Sequence, residues 1–127
     1  MDQIEVDSSS FAALDLADKA VLINTGWSRH WGTETYLSNN PFLTAEAGQF
    51  LKDKGVKLVG IDSLNIDDTR SNSRPVHSTL LGAEILIVEH LCNLEALPTQ
   101  GFNFTAVPPK IEKVGSFPVR AFAKLAD

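Results

Sequence analysis

The chain has 127 residues, 43% of them hydrophobic and 21% charged, a balance that fits one soluble globular domain and excludes a disordered segment. A net charge of −5 and a pI near 5.1, with no basic run, exclude the phosphate-binding surface that a nucleic-acid partner needs. No apolar stretch approaches the ~20 residues that span a bilayer, and the acidic start Met1-Asp-Gln-Ile-Glu-Val-Asp7 lacks a secretory signal's apolar core, so neither a membrane nor an export role is expected.

Residues 1–10 read as a polar leader, with a helical turn expected at 11–16. The run Ala20-Val-Leu-Ile23 predicts a buried strand that ends at Asn24-Thr25-Gly26. Residues 27–42 mix aromatic and polar side chains without a period and read as a long loop with room for one helical turn. Thr44 then stands as an N-cap for a helix over 45–54, with Gly55 as its stop. A second buried strand is predicted over 56–61, with Asp62 at its C-terminal end. A polar, turn-rich stretch covers 63–74. Pro75 opens a helix over 76–81 that Gly82 ends. A third strand follows over 85–88, then a turn over 94–97 before Pro98. Two further strands over 102–107 and 118–124 flank a loop that holds Pro108 and Pro109. Strands alternating with helices predict an α/β class in a single domain over 1–127, with the strand order left open.

Cys92 is the only cysteine, which rules out a disulfide within the chain and a cysteine-based zinc site and suits a reducing cytoplasm. A lone cysteine can also serve as a nucleophile, but Cys92 follows an apolar run and is expected to be half-buried in packing.

Ligands of open α/β sheets collect beyond the C-terminal ends of the strands. Three such ends carry polar groups: Asn24-Thr25, Asp62-Ser63 and Glu89-His90. His77 lies at the start of the helix that precedes the third strand, so the returning strand can bring Glu89 back toward it. An imidazole and a carboxylate that converge this way can bind a divalent metal, act as an acid–base pair, or simply be hydrogen-bonded structure; spacing alone does not choose. His30-Trp31-Gly32-Thr33 begins like a His-x-Gly-Thr-His metal motif, but Glu34 and Tyr36 stand where the next ligands would fall. It reads as an aromatic loop.

The order of several motifs resembles the cyclase family of metal-dependent hydrolases, which includes bacterial kynurenine formamidases and isatin hydrolases. The matching residues are Thr25-Gly26-Trp27, Trp31, Tyr36, Pro41-Phe42-Leu43, Gly60-Ile61-Asp62, Arg74-Pro75-Val76-His77, Leu80-Leu81-Gly82 and Ile87-Val88-Glu89-His90-Leu91. They continue with Asn93-Leu94, Leu97-Pro98, Gly101-Phe102, Pro108-Pro109-Lys110 and Pro118-Val119-Arg120-Ala121. The likeness runs from about residue 20 to 124 and corresponds to the C-terminal portion of the family. It implies a layered β/β/α, swivelling-domain fold, incomplete relative to the family, assembled as a homo-oligomer.

The resemblance also implies hydrolysis of a small-molecule amide with one or two divalent ions, zinc or manganese, as in tryptophan catabolism. By the same resemblance His77 and Glu89 are metal ligands, and Trp27, Trp31, Tyr36 and Phe42 wall an aromatic substrate pocket. The family's signature His-x-Gly-Thr-His-x-Asp-x-Pro-x-His, which holds most ligands of the first metal and a catalytic histidine, does not occur in residues 1–127. Catalytic residues are therefore unassigned, and a partner supplying the missing half, or self-association, is expected.

Overall fold

The computed structural model describes residues 4–127, in two compact units that meet in sequence between Leu94 and Glu95. The first three residues of the expected leader lie outside the described residues.

The first unit is built on a three-stranded parallel sheet of β2 (Ala20–Ile23), β4 (Leu58–Ile61) and β5 (Leu86–Val88), in the order β2-β4-β5. The register aligns Val21 with Val59 and Ile87, so the apolar runs fall side by side. Strand β4 is central and its Val59, Gly60 and Ile61 are buried, as expected for a parallel strand covered on both faces. Gly60 is required there, since a Cβ would come within 2.7 Å of both Leu22 and Leu91. A short parallel pair of β1 (Glu5–Val6) and β3 (Phe42–Leu43) forms a separate sheet.

Two helices complete this unit. Helix α1 (Ala45–Asp53) starts where Thr44 accepts a hydrogen bond from the Ala47 N–H at 3.1 Å, and Gly55, at φ +72°, ends its last turn. It buries Ala47, Gly48 and Leu51 and packs on helix α2 (Pro75–Gly82), with Gly48 seated against Val76. Leu51, Val59, Ile61, Ile66, Val76 and Leu80 are central members of the core.

The second unit is an antiparallel hairpin of β6 (Phe102–Val107) and β7 (Arg120–Leu125), paired from Phe102–Leu125 to Val107–Arg120. Its loop carries Pro108, Pro109 and Pro118, and none of the hairpin's strand residues is buried.

Three expectations are corrected. The leader contains β1 and a 3-10 turn, Ser8–Phe11, which Asp7 caps by accepting the Ser9 N–H; the turn expected over 11–16 follows it, with the Leu14 N–H donating to the Phe11 carbonyl at 3.0 Å. The loop over 27–42 holds two 3-10 turns, Trp27–His30 and Glu34–Leu37, rather than one helical turn. Cys92 is exposed rather than half-buried. Left-handed residues on either side of it, His90 (φ +59°) and Asn93 (φ +58°), turn the chain so that Leu91 and Leu94 face inward instead.

Burial sets the expected cost of truncation. Leu51→Ala should lower the unfolding free energy by about 2–5 kcal/mol, whereas exposed Leu37→Ala should stay within about 0.5 kcal/mol. Urea denaturation of both variants checks this.

Candidate functional site

The polar residues beyond β2, β4 and β5 form one connected network. Asp62, buried at the end of β4, accepts hydrogen bonds from the Thr25 N–H (2.9 Å), the Thr25 hydroxyl (2.6 Å) and the Gly26 N–H (2.8 Å). It thereby fixes the exit of β2, where Gly26 at φ +77° turns the chain into the aromatic segment. The exit of β5 is tied to β4 by the His90 N–H donating to the Ser63 carbonyl (3.0 Å) and the Leu91 N–H to the Ile61 carbonyl (3.1 Å).

Helix α2 begins without a local cap: Arg74 precedes Pro75 and offers no side-chain acceptor to the first turn. Buried Asp67 supplies one from the preceding loop. Its Oδ1 accepts the Val76 N–H at 2.8 Å, and its Oδ2 accepts both the His77 N–H at 3.0 Å and the His77 ring Nδ1 at 2.7 Å. An anion at a helix N-terminus satisfies orphan donors and meets the positive end of the helix dipole. A carboxylate only accepts, so the His77 proton sits on Nδ1 and the Nε2 lone pair points away from Asp67.

That lone pair faces Glu89. Nε2 lies 3.3 Å from Glu89 Oε1, and the same oxygen accepts the Ile66 N–H at 2.9 Å. Two electron-rich atoms held this close are stable with positive charge between them, either a second ring proton or a cation. A carboxylate–histidine pair with a second acidic donor opposite Nε2 is also how proteins orient imidazole toward a metal. The donor set therefore fits one edge of a divalent metal site. It is not a full one: among the described residues, no group of three or more His, Cys, Asp or Glu side chains could hold a metal.

Of the four aromatic residues singled out in the sequence, Trp27 and Trp31 both touch Tyr36, and Phe42 packs with Arg70. Trp31 and Tyr36 meet edge to face at 5.1 Å, and each also contacts the ring of His90. The Tyr36 hydroxyl lies 2.9 Å from His90 Nδ1. Trp27 is buried, with its indole N–H donating to the Tyr36 carbonyl at 3.1 Å. Phe42 is buried in β3 under the Arg70 guanidinium, 5.6 Å from the ring centre. Burial, then the carboxylates of Asp62 and Glu89, push the Tyr36 phenol up to about 12.

Asp67 went unread in the sequence because nothing separates it from Asp68 in a turn-rich run. The available signal was indirect: a helix opening with Arg74-Pro75 has no cap of its own and must borrow one. His90 was visible at a strand end, but its partner Tyr36 lies 54 positions away.

The α/β fold thus brings His77, from the start of α2, to Glu89 at the end of β5, and comparison with known proteins supplies a family for this arrangement. Residues 11–68 match the family model described as "Putative cyclase". An uncharacterized protein of Methanocaldococcus jannaschii is 35% identical over 83% of this chain and 53% of its own length. A kynurenine formamidase of Bacillus cytotoxicus is 29% identical over 76% of this chain and 46% of its own. Among solved structures, a "potential metal-dependent hydrolase with cyclase activity" is 28% identical with a TM-score of 0.78, covering 93% of this chain and 57% of that one. An isatin hydrolase bound to thioisatinate shares the fold, with a TM-score of 0.85 at 23% identity over 96% of this chain and 53% of that one. The chain is similar to the cyclase family along most of its length, and it spans about half the length of the curated relatives it matches.

Tyr36 is the only tyrosine, so its titration can be read directly. Its folded-state pKa lies above the ordinary value of 10, so its contribution to stability is fully present below pH ~10 and is lost as pH rises through about 12. Phenolate absorbance, followed while circular dichroism stays native, should have its midpoint near 12. A midpoint near 10 would mean that the hydroxyl is open to water.

Proposed function

We propose that residues 1–127 are a single domain, the C-terminal part of an amide hydrolase of the arylformamidase type, acting on N-formylkynurenine or a related aryl or cyclic amide. The observation that carries this reading is the approach of His77 Nε2 to Glu89 at 3.3 Å, with Asp67 behind the ring. His77 and Glu89 would hold one divalent ion, zinc or manganese. Such an ion would lower the pKa of water and polarise the scissile carbonyl. The chain's own residues do the rest: Asp67 keeps the His77 lone pair directed at the site, Glu89 contributes the opposing negative charge, and Trp31 offers an open aromatic face to the substrate.

Two donors fall short of the three protein ligands usual at a catalytic zinc. The site is thus completed by residues beyond these 127, contributed by further polypeptide or by a cytoplasmic partner, and this segment alone does not turn over substrate. The same shortage favours a second reading, a non-enzymatic member of the family that serves as a small binding or oligomerisation domain.

Purified 1–127 should bind zinc or manganese weakly, with His77→Ala weakening it by a further ~10-fold or more, and should not hydrolyse N-formylkynurenine. Isothermal titration and an absorbance assay check both. Turnover that His77→Ala abolishes would contradict the need for added ligands; no detectable metal binding would contradict the metal reading.

Self-association is proposed on similar grounds. Leu81 and Leu86 are exposed in the first unit, and a lone two-stranded hairpin is marginal in water. Light scattering over a concentration series should find an oligomer. A monodisperse monomer with a cooperative melt would favour a self-contained module.

A further inference from the structure

His77 and His90 both lie beyond the sheet's C-terminal edge, and their partners differ in kind. The carboxylate beside His77 Nδ1 can only accept, so the neutral ring carries its proton on Nδ1 and its lone pair on Nε2. The hydroxyl beside His90 Nδ1 can donate or accept, so the pair's own geometry leaves the direction open. The surroundings decide it. Tyr36 is 3% exposed, and among the described residues its hydroxyl has one hydrogen-bond partner, His90 Nδ1. If Nδ1 carried the proton and donated, the phenol proton would be buried without an acceptor, which folded proteins avoid. The phenol also stays protonated at neutral pH, since burial and nearby carboxylates raise its pKa to about 12. The hydroxyl therefore donates, Nδ1 accepts, and the His90 proton sits on Nε2.

His90 is also held in place. Its backbone is left-handed, at φ +59°, a conformation costly for a residue with a side chain, and the bond from its N–H to the Ser63 carbonyl fixes the turn. The residue is exposed, its ring lies 5.8 Å from that of Trp31, and Trp31 is itself 66% exposed. Glu89 immediately precedes His90, so this ring cluster adjoins a candidate metal ligand along the chain.

We infer that His90 is a substrate-contacting residue: a neutral Nε2–H donor, set by Tyr36 as its positioning residue, that binds an acceptor oxygen of an aromatic acyl compound lying against Trp31. The two histidines thus have opposite tautomers and opposite tasks, His77 presenting a lone pair and His90 a proton. The substrate class rests on the hydrolase reading above; the tautomer does not.

The chain has three histidines, so nitrogen-15 labelling resolves each ring by two-dimensional NMR at pH about 8, above the ordinary imidazole pKa. In the unaltered protein His90 should carry its proton on Nε2, and Tyr36→Phe should turn it into an averaged mixture of tautomers. Anthranilate, an aromatic carboxylate, should shift the His90 Nε2 resonance and bind about tenfold more weakly to His90→Phe. A proton on Nδ1 of His90 in the unaltered protein, which needs no variant to detect, overturns the inference. So does anthranilate that leaves His90 unmoved or binds both forms equally. Zinc in a separate titration reads His77: if its Nε2 does not respond, the metal reading fails while the His90 assignment stands on its own result.

Discussion

The site depends on one buried carboxylate, that of Asp67. A buried anion is costly unless it is fully hydrogen-bonded, and Asp67 is: three N–H groups converge on its two oxygens at the start of α2. The same contacts cap a helix that has no local cap and fix the tautomer of His77. Stability and chemistry share one residue here. Taking it away would leave two helix donors and a ring N–H without partners, and would release the imidazole from its aim at Glu89.

Asp62 repeats the device one strand end away. It gathers the Thr25 and Gly26 backbone and the Thr25 hydroxyl, and so sets where the aromatic segment leaves the sheet. That segment returns Tyr36 to His90, while the β5 exit is pinned to β4 through Ser63 and Ile61. The parallel sheet thus supplies three fixed starting points, and short polar contacts convert them into two oriented histidines. The missing Cβ of Gly60 lets Leu22 and Leu91 close over the central strand.

Much of this frame was legible in the sequence because its signals are local. Thr44 and Gly55 bracket α1, Pro75 opens α2, and the strand expected over 102–107 matches β6 residue for residue. What was illegible depends on distant pairing. Strand β1 is two residues long and exists only through β3; β7 begins at Arg120 rather than Pro118 because its register follows β6. At the site, the approach of His77 to Glu89 followed from a helix returning into a strand, a short-range argument. Asp67 and the Tyr36–His90 contact could not be read that way, since Asp67 and Tyr36 lie in the segments between the regular strands and α-helices, where side-chain hydrogen bonds leave no periodicity behind.

The reading of half a metal site, built in advance and awaiting the rest of its ligands, turns on whether Asp67 orients His77. Asp67→Asn is nearly isosteric but replaces one of the two acceptor oxygens that Val76 and His77 use with an NH2 group. Zinc affinity by isothermal titration, in a variant whose circular dichroism stays native, is the most direct measurement. The account predicts binding weaker by about 10–100-fold, the usual cost of losing a carboxylate behind a ligating histidine. Unchanged affinity in a native-like Asp67→Asn would contradict it.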